Sequence, residues 1–115
     1  MMRLDGEPVT PEQLRNLALI NYGHFTTMTV DGAGVRGLGL HLERLVRDCR
    51  TVLAADLDPV RVRELARQAA EDAGSPAIMR VTVFDPALDL GHVGKPGQPR
   101  ILKQCCPATT AGVSR

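Results

Sequence analysis

The sequence has no tryptophan, one tyrosine (Tyr22) and two phenylalanines (Phe25 and Phe84) among its 115 residues. A core drawn mainly from Leu, Val and Ala has little large-side-chain area with which to close its surface. That scarcity points to reliance on a second domain or a partner subunit. Long apolar runs are missing too: no stretch approaches the roughly 20 apolar residues of a membrane span. The opening Met1-Met2-Arg3-Leu4-Asp5-Gly6 lacks the apolar segment of a secretion signal. Charge is nearly balanced at +1, so no field of one sign selects nucleic acid or a membrane surface. The three cysteines, Cys49, Cys105 and Cys106, form neither a disulfide framework nor a spaced metal site. A reducing cytoplasm is the expected compartment. The histidines, His24, His41 and His92, show no ligand spacing, and no Ser-His-Asp or Cys-His arrangement is present.

What is present is a regular alternation of start and stop signals. Leu4 to Val9, turning at Asp5-Gly6, predicts a short hairpin. Thr10-Pro11-Glu12-Gln13 reads as a helix start, with Thr10 as cap, Pro11 in the first turn and Gln13 completing a capping box. That helix should run to about Leu19. Phe25 to Val30 predicts a strand entering an Asp31-Gly32 turn, with Val35-Arg36 as a brief return. From Leu38 to Ala55, the residues Leu38, Leu42, Leu45, Val46, Cys49, Val52 and Leu53 share one helical face. Asp58-Pro59 starts a second helix whose apolar side is Val62, Leu65, Ala66, Ala69 and Ala73, ended by Gly74. Arg67 and Glu71 are spaced on it for an exposed ion pair. Ala77 to Phe84 is the second strong strand.

Residues 86–99, with their glycines and prolines, must be a long loop. Ile101-Leu102 opens another strand. Residues 103–115 have no period of either kind and are expected to be a disordered or divergent tail. The order predicts one α+β domain over 1–102, a mainly antiparallel sheet with two consecutive helices packed on one face.

Gly32-Ala33-Gly34-Val35-Arg36-Gly37 matches the G-x-G-x-x-G string of dinucleotide loops. A dinucleotide unit then needs a parallel strand after its helix. Here Ala55-Asp56-Leu57-Asp58 leads directly into a second helix, so the string is a turn and link rather than a cofactor loop. Two arginines are better candidates. His41, Arg44 and Asp48 lie along one flank of the helix from Leu38, with Arg44 in reach of both neighbours. That flank is either a solvated salt-bridged strip or a cleft edge suited to a phosphate or carboxylate. Arg80 interrupts the apolar run of the second strong strand, sharing a side with Ile78, Thr82 and Phe84. It either snorkels from an edge strand or faces an anion in a wet cavity.

The stretch Asn21-Tyr22-Gly23-His24-Phe25-Thr26-Thr27-Met28, followed by Leu40-His41-Leu42-Glu43-Arg44-Leu45, resembles the class IV aminotransferases. These are pyridoxal-phosphate (PLP) enzymes of fold type IV, and the resemblance in order and spacing runs from about residue 3 to 102. It implies the small N-terminal domain of that fold, with PLP as cofactor and an amino acid and a 2-oxo acid as substrates. It also implies a homodimer in full-length relatives. Arg44 would bind the cofactor phosphate, Tyr22 would lie beside the substrate pocket, and Arg80 would meet a substrate carboxylate as in branched-chain members. D-amino-acid transaminases and aminodeoxychorismate lyases carry an arginine where this chain has Val83, which favours the branched-chain type; a lyase of the aminodeoxychorismate kind is the alternative within the family.

The family segment Tyr-Gly-Asp-Gly-x-Phe-Glu is shortened here to Tyr22-Gly23-His24-Phe25-Thr26. The lysine that anchors the cofactor lies in the family's second domain, and neither Lys95 nor Lys103 matches it. Lys95 reads as a solvated loop residue and Lys103 as a strand-end residue. Without that amine the cofactor aldehyde has no covalent anchor and the proton shift has no base. No residue of this chain is therefore assigned as catalytic, and a truncated or frame-disrupted product is expected, inactive alone. A non-catalytic remnant or partner-binding α+β module is the competing reading. If its apolar faces normally meet a second domain, the isolated chain should expose apolar area and associate.

Overall fold

The computed structural model describes residues 2–31, 34–73 and 76–107. The Asp5-Gly6 turn joins β1 (Met2–Leu4) to β2 (Glu7–Pro8). Both turn residues take positive φ, 50° and 86°, as the tight turn between twisted antiparallel strands requires. Helix α1 (Pro11–Ile20) starts on the expected capping box: Thr10 Oγ1 accepts from Gln13 N at 3.2 Å, and Thr10 N donates to Gln13 Oε1 at 2.9 Å. β3 (Gly23–Asp31) and the short β4 (Gly34–Val35) follow. Helices α2 (Leu38–Leu53) and α3 (Pro59–Ala73) come next, then β5 (Ala77–Phe84) and β6 (Arg100–Pro107). Gly32 of the turn and the glycine string, the α3 terminator Gly74, and residues 108–115 of the expected tail lie outside the described residues.

The strands form one antiparallel sheet in the order β2-β1-β6-β5-β3-β4. The expected α+β class holds, with α2 and α3 together on one face. Alternation sorts the side chains. Met28, Val30, Met79, Val81, Val83 and Ile101 meet Leu42, Leu45, Cys49, Leu53, Val62, Leu65 and Ala66 in a core without a fully buried aromatic. A smaller cluster of Leu4, Phe84 and Leu102 lies on the opposite face, under Leu14 and Leu17 of α1. Two helices therefore cover one face, and the third covers one end of the other. Among the described residues nothing covers the rest of that second face, and Phe25 and Ile78 are 52% and 45% exposed, in line with the apolar exposure expected of the isolated chain.

The boundary expected at residue 102 falls inside a strand, because β6 continues to Pro107. Its far half is held by pairing rather than by its own pattern: Lys103 pairs with Val81 and Arg3, Gln104 with Arg80 and Met2, and Cys105 with Met79. Lys103 is accordingly not a strand-end residue. It is 5% exposed beneath α3, and its Nζ donates to the Leu65 carbonyl at 3.0 Å. Burial lowers its pKa from the ordinary lysine value, with Asp72 acting in the opposite sense. Lys95 sits in the exposed loop as expected.

Candidate functional site

Gly23 determines how β3 begins. A Cβ there would stand 2.7 Å from the Val83 carbonyl oxygen and 3.0 Å from Phe84 Cβ, so only glycine lets β3 approach β5 at the Gly23–Phe84 pair. Beyond it, β3 meets β4 only at Val30–Val35 and Asp31–Gly34. The outer edge of β3 from Gly23 to Thr29 has no strand beside it among the described residues. Helix α2 runs past this edge, and the two enclose a cleft lined by His24, Phe25, Thr26, Thr27, His41, Arg44 and Asp48. Alternation turns His24 and Thr26 towards the helices and Phe25 and Thr27 to the other face. The cleft therefore wraps around the edge of the sheet.

The polar groups do not form the His41–Arg44–Asp48 strip that spacing allowed. His41 Nδ1 is 2.7 Å from Thr26 Oγ1, and Asp48 accepts from its neighbour Arg47 at 3.4 Å. Arg44 is exposed, and its side chain has no hydrogen bond or ion pair among the described residues. An unpaired guanidinium with its full fork of donors is suited to a bidentate oxyanion. At the cleft floor His24 is 9% exposed, and neither ring nitrogen has a hydrogen-bond partner among the described residues. Burial holds its pKa below the ordinary histidine value, while the charge of Asp48 works the other way. His24 was passed over in the sequence for want of a spaced partner. Its departure from the family segment, at the residue after Tyr22-Gly23, was the one available signal.

Arg80 lies on β5, between β6 and β3, and is no edge-strand residue. Its side is shared with Ile78, Thr82 and Phe84 as expected, and across the strands it faces Thr27 and Gln104. Its guanidinium carbon stacks 3.8 Å from the centroid of Phe25, a cation–π contact that leaves the rim donors open. Because Phe25 also lines the cleft, Arg44 and Arg80 stand on the two sides of one wrapped edge. Tyr22 is not brought to them. It packs against the main core, and its hydroxyl donates to the Val52 carbonyl at 2.6 Å, near the C-terminal end of α2.

Lys103, on β6 beneath α3, is not among the cleft residues, and neither is Lys95. Among the described residues no group of His, Cys, Asp and Glu is placed to hold a metal, and no helix is long and apolar enough to cross a membrane.

No family model matches the sequence, and no curated protein matches it. Solved structures do match. The chain is similar to 4-amino-4-deoxychorismate lyase from Pseudomonas aeruginosa, with 24% identity and a TM-score of 0.69 over 95% of this chain and 40% of that one. It is similar to the PLP-bound form of a hypothetical aminotransferase from Mycobacterium tuberculosis, with 18% identity and a TM-score of 0.70 over 99% and 42%. A branched-chain aminotransferase from Thermoproteus uzoniensis, solved with norvaline, matches with 20% identity and a TM-score of 0.69 over 94% and 40%. The chain spans about two-fifths of the length of these proteins. It has the fold of one part of the class IV aminotransferases and of the lyase that shares their architecture.

Proposed function

We propose that residues 1–107 are the N-terminal domain of a class IV aminotransferase-like protein and that the β3–α2 cleft receives the phosphate of PLP. The observation that carries this reading is Arg44, an exposed arginine at the rim of a cleft that a buried histidine also lines, both without a side-chain partner among the described residues. Both groups lack an acceptor, which a phosphate would supply. Bound PLP supplies an electron sink for bonds broken at the α-carbon of an amino acid. The chain's own residues bind and orient. Arg44 takes the phosphate oxygens, Thr26 holds His41 in place along the same wall, and Arg80, on the other side of the edge, presents its guanidinium to a substrate carboxylate.

The expected substrates are an amino acid and a 2-oxo acid, handled by a homodimeric assembly in the cytoplasm, where the free thiols of Cys49, Cys105 and Cys106 suit a reducing compartment. Tyr22 serves this site as a support for α2 rather than as a wall of the pocket. A second reading rests on the lysines: with Lys103 committed to Leu65 under α3 and Lys95 in the far loop, this chain binds without transferring an amino group by itself.

Titration of the chain with PLP, followed by absorbance and fluorescence, tests the assignment. Arg44→Gln should weaken binding by about 10- to 100-fold, the value of one charge-assisted phosphate contact. Equal affinity of wild type and Arg44→Gln would sink it. Borohydride reduction of the mixture should leave Lys95 and Lys103 unlabelled. A reduced adduct on either would overturn the second reading.

A further inference from the structure

We propose that His24 is a second, proton-gated ligand of this cleft. In its imidazolium form it donates to the same tetrahedral oxyanion that Arg44 holds, so the cleft binds a dianion more tightly as pH falls. The inference rests on the assignment of Arg44 to an anion. Both His24 ring nitrogens are buried without a partner among the described residues, so the ring must turn about its own axis to bring one of them to a ligand in the cleft that the residue lines. Protein structures rarely leave such a group unsatisfied, and an acceptor brought in with a ligand is one of the few ways to satisfy it.

His24 is on the strand that forms the cleft floor. The ionisable groups facing it from α2 are His41, Arg44 and Asp48. From β5 it meets Val83, its cross-strand partner, which carries no charge. His41 has its Nδ1 occupied by Thr26, and Asp48 is shared with Arg47. Among the described residues, Arg44 and both ring nitrogens of His24 are left without a partner in this cleft. Asp48 favours the imidazolium, whereas burial opposes it. A dianion in the cleft would tip that balance by supplying the missing acceptor and by offsetting the positive charge of Arg44 and the imidazolium. By linkage, the factor by which the anion strengthens proton binding equals the factor by which the proton strengthens anion binding.

Sulfate is the probe of choice, because it stays a dianion through the range in which histidine titrates, whereas a phosphate ester takes up its own proton near pH 6. The histidine ring resonances of the full chain are followed by NMR from about pH 5 to about pH 8 with and without saturating sulfate. The His24 midpoint should rise by about one pH unit, equivalent to about tenfold tighter sulfate binding by the protonated form. His24→Gln should bind sulfate with no pH dependence.

An unchanged His24 midpoint in saturating sulfate, or a pH dependence that survives His24→Gln, would overturn the proton gating. If Arg44→Gln still weakened sulfate binding in that case, the Arg44 assignment would stand. Absence of sulfate binding at every pH would overturn the proposal, and binding that is indifferent to Arg44→Gln would overturn both.

Discussion

Tyr22→Phe separates a residue that supports α2 from one that contacts substrate. Its hydroxyl is 2.6 Å from the Val52 carbonyl, in the last turn of α2. Carbonyls there have no amide one turn further on. The neighbouring Leu53 carbonyl is taken by Gly97 N at 2.8 Å, and Val52 relies on Tyr22. Removing the hydroxyl loses a neutral hydrogen bond worth about 1 kcal/mol and strands a partly buried acceptor, for a total of about 1.5 kcal/mol. In a domain of this size that is a fall in Tm of about 6 °C. Thermal unfolding by circular dichroism reads the first quantity, and PLP or sulfate titration reads the second. The expected result is a lower Tm with anion affinity within about twofold of wild type, a difference of roughly 0.4 kcal/mol. A variant that melts with the wild type but binds tenfold more weakly would refute the placement and return Tyr22 to the ligand.

Asp5 ties the β1–β2 turn to β6, accepting from Ile101 N at 3.1 Å and from the Arg100 guanidinium, while its own N–H donates to Ile101 at 2.8 Å. Asp5→Ala should cost about 3 kcal/mol in urea unfolding, and Asp5→Asn, which keeps one acceptor and tolerates positive φ, about 1 kcal/mol; equal losses would show that charge alone matters. Lys103→Met should leave stability unchanged or raise it by about 1 kcal/mol, because the charge is buried and the Leu65 carbonyl it contacts lies in the middle of α3; a loss above about 2 kcal/mol would reverse that reading. His24 binds its proton less readily folded than unfolded. Its contribution to stability is therefore complete above the unfolded histidine value, about 6.5. It falls as pH drops through the lower folded value. Urea midpoints between about pH 5 and about pH 8 should decline on acidification, less so in His24→Gln. An identical decline in that variant would assign it to other groups.

Local signals translated into structure where each element carries its own instructions. Thr10 and Gln13 close the box that starts α1, and Asp5-Gly6 supplies the positive φ of its turn. The seven apolar positions from Leu38 to Leu53 aim α2 at the sheet. The strand Ala77–Phe84 was bounded to the residue, because β-formers fill it and Asp85-Pro86 stops it. β6 was only half legible. Its second half is a strand because β5 offers backbone partners as far as Pro107 and β1 as far as Gln104, and periodicity within Lys103–Pro107 holds no trace of that.

The sequence by itself determined the elements up to the first half of β6, the α+β class, and Arg44 and Arg80 as candidates, since caps, periods and motifs are properties of neighbouring residues. Tertiary structure decided which of these residues meet. It put α1 on the opposite face from α2 and α3, and among the described residues it left the outer edge of β3 from Gly23 to Thr29 without a strand, wrapped by one cleft. It gave Asp48 to Arg47 and His41 to Thr26, freeing Arg44. It sent Tyr22 to the end of α2, buried Lys103 beneath α3, and placed His24 in the cleft lining without a partner among the described residues. Those outcomes depend on hydrogen bonds and burial between residues far apart in the chain, which no local pattern records.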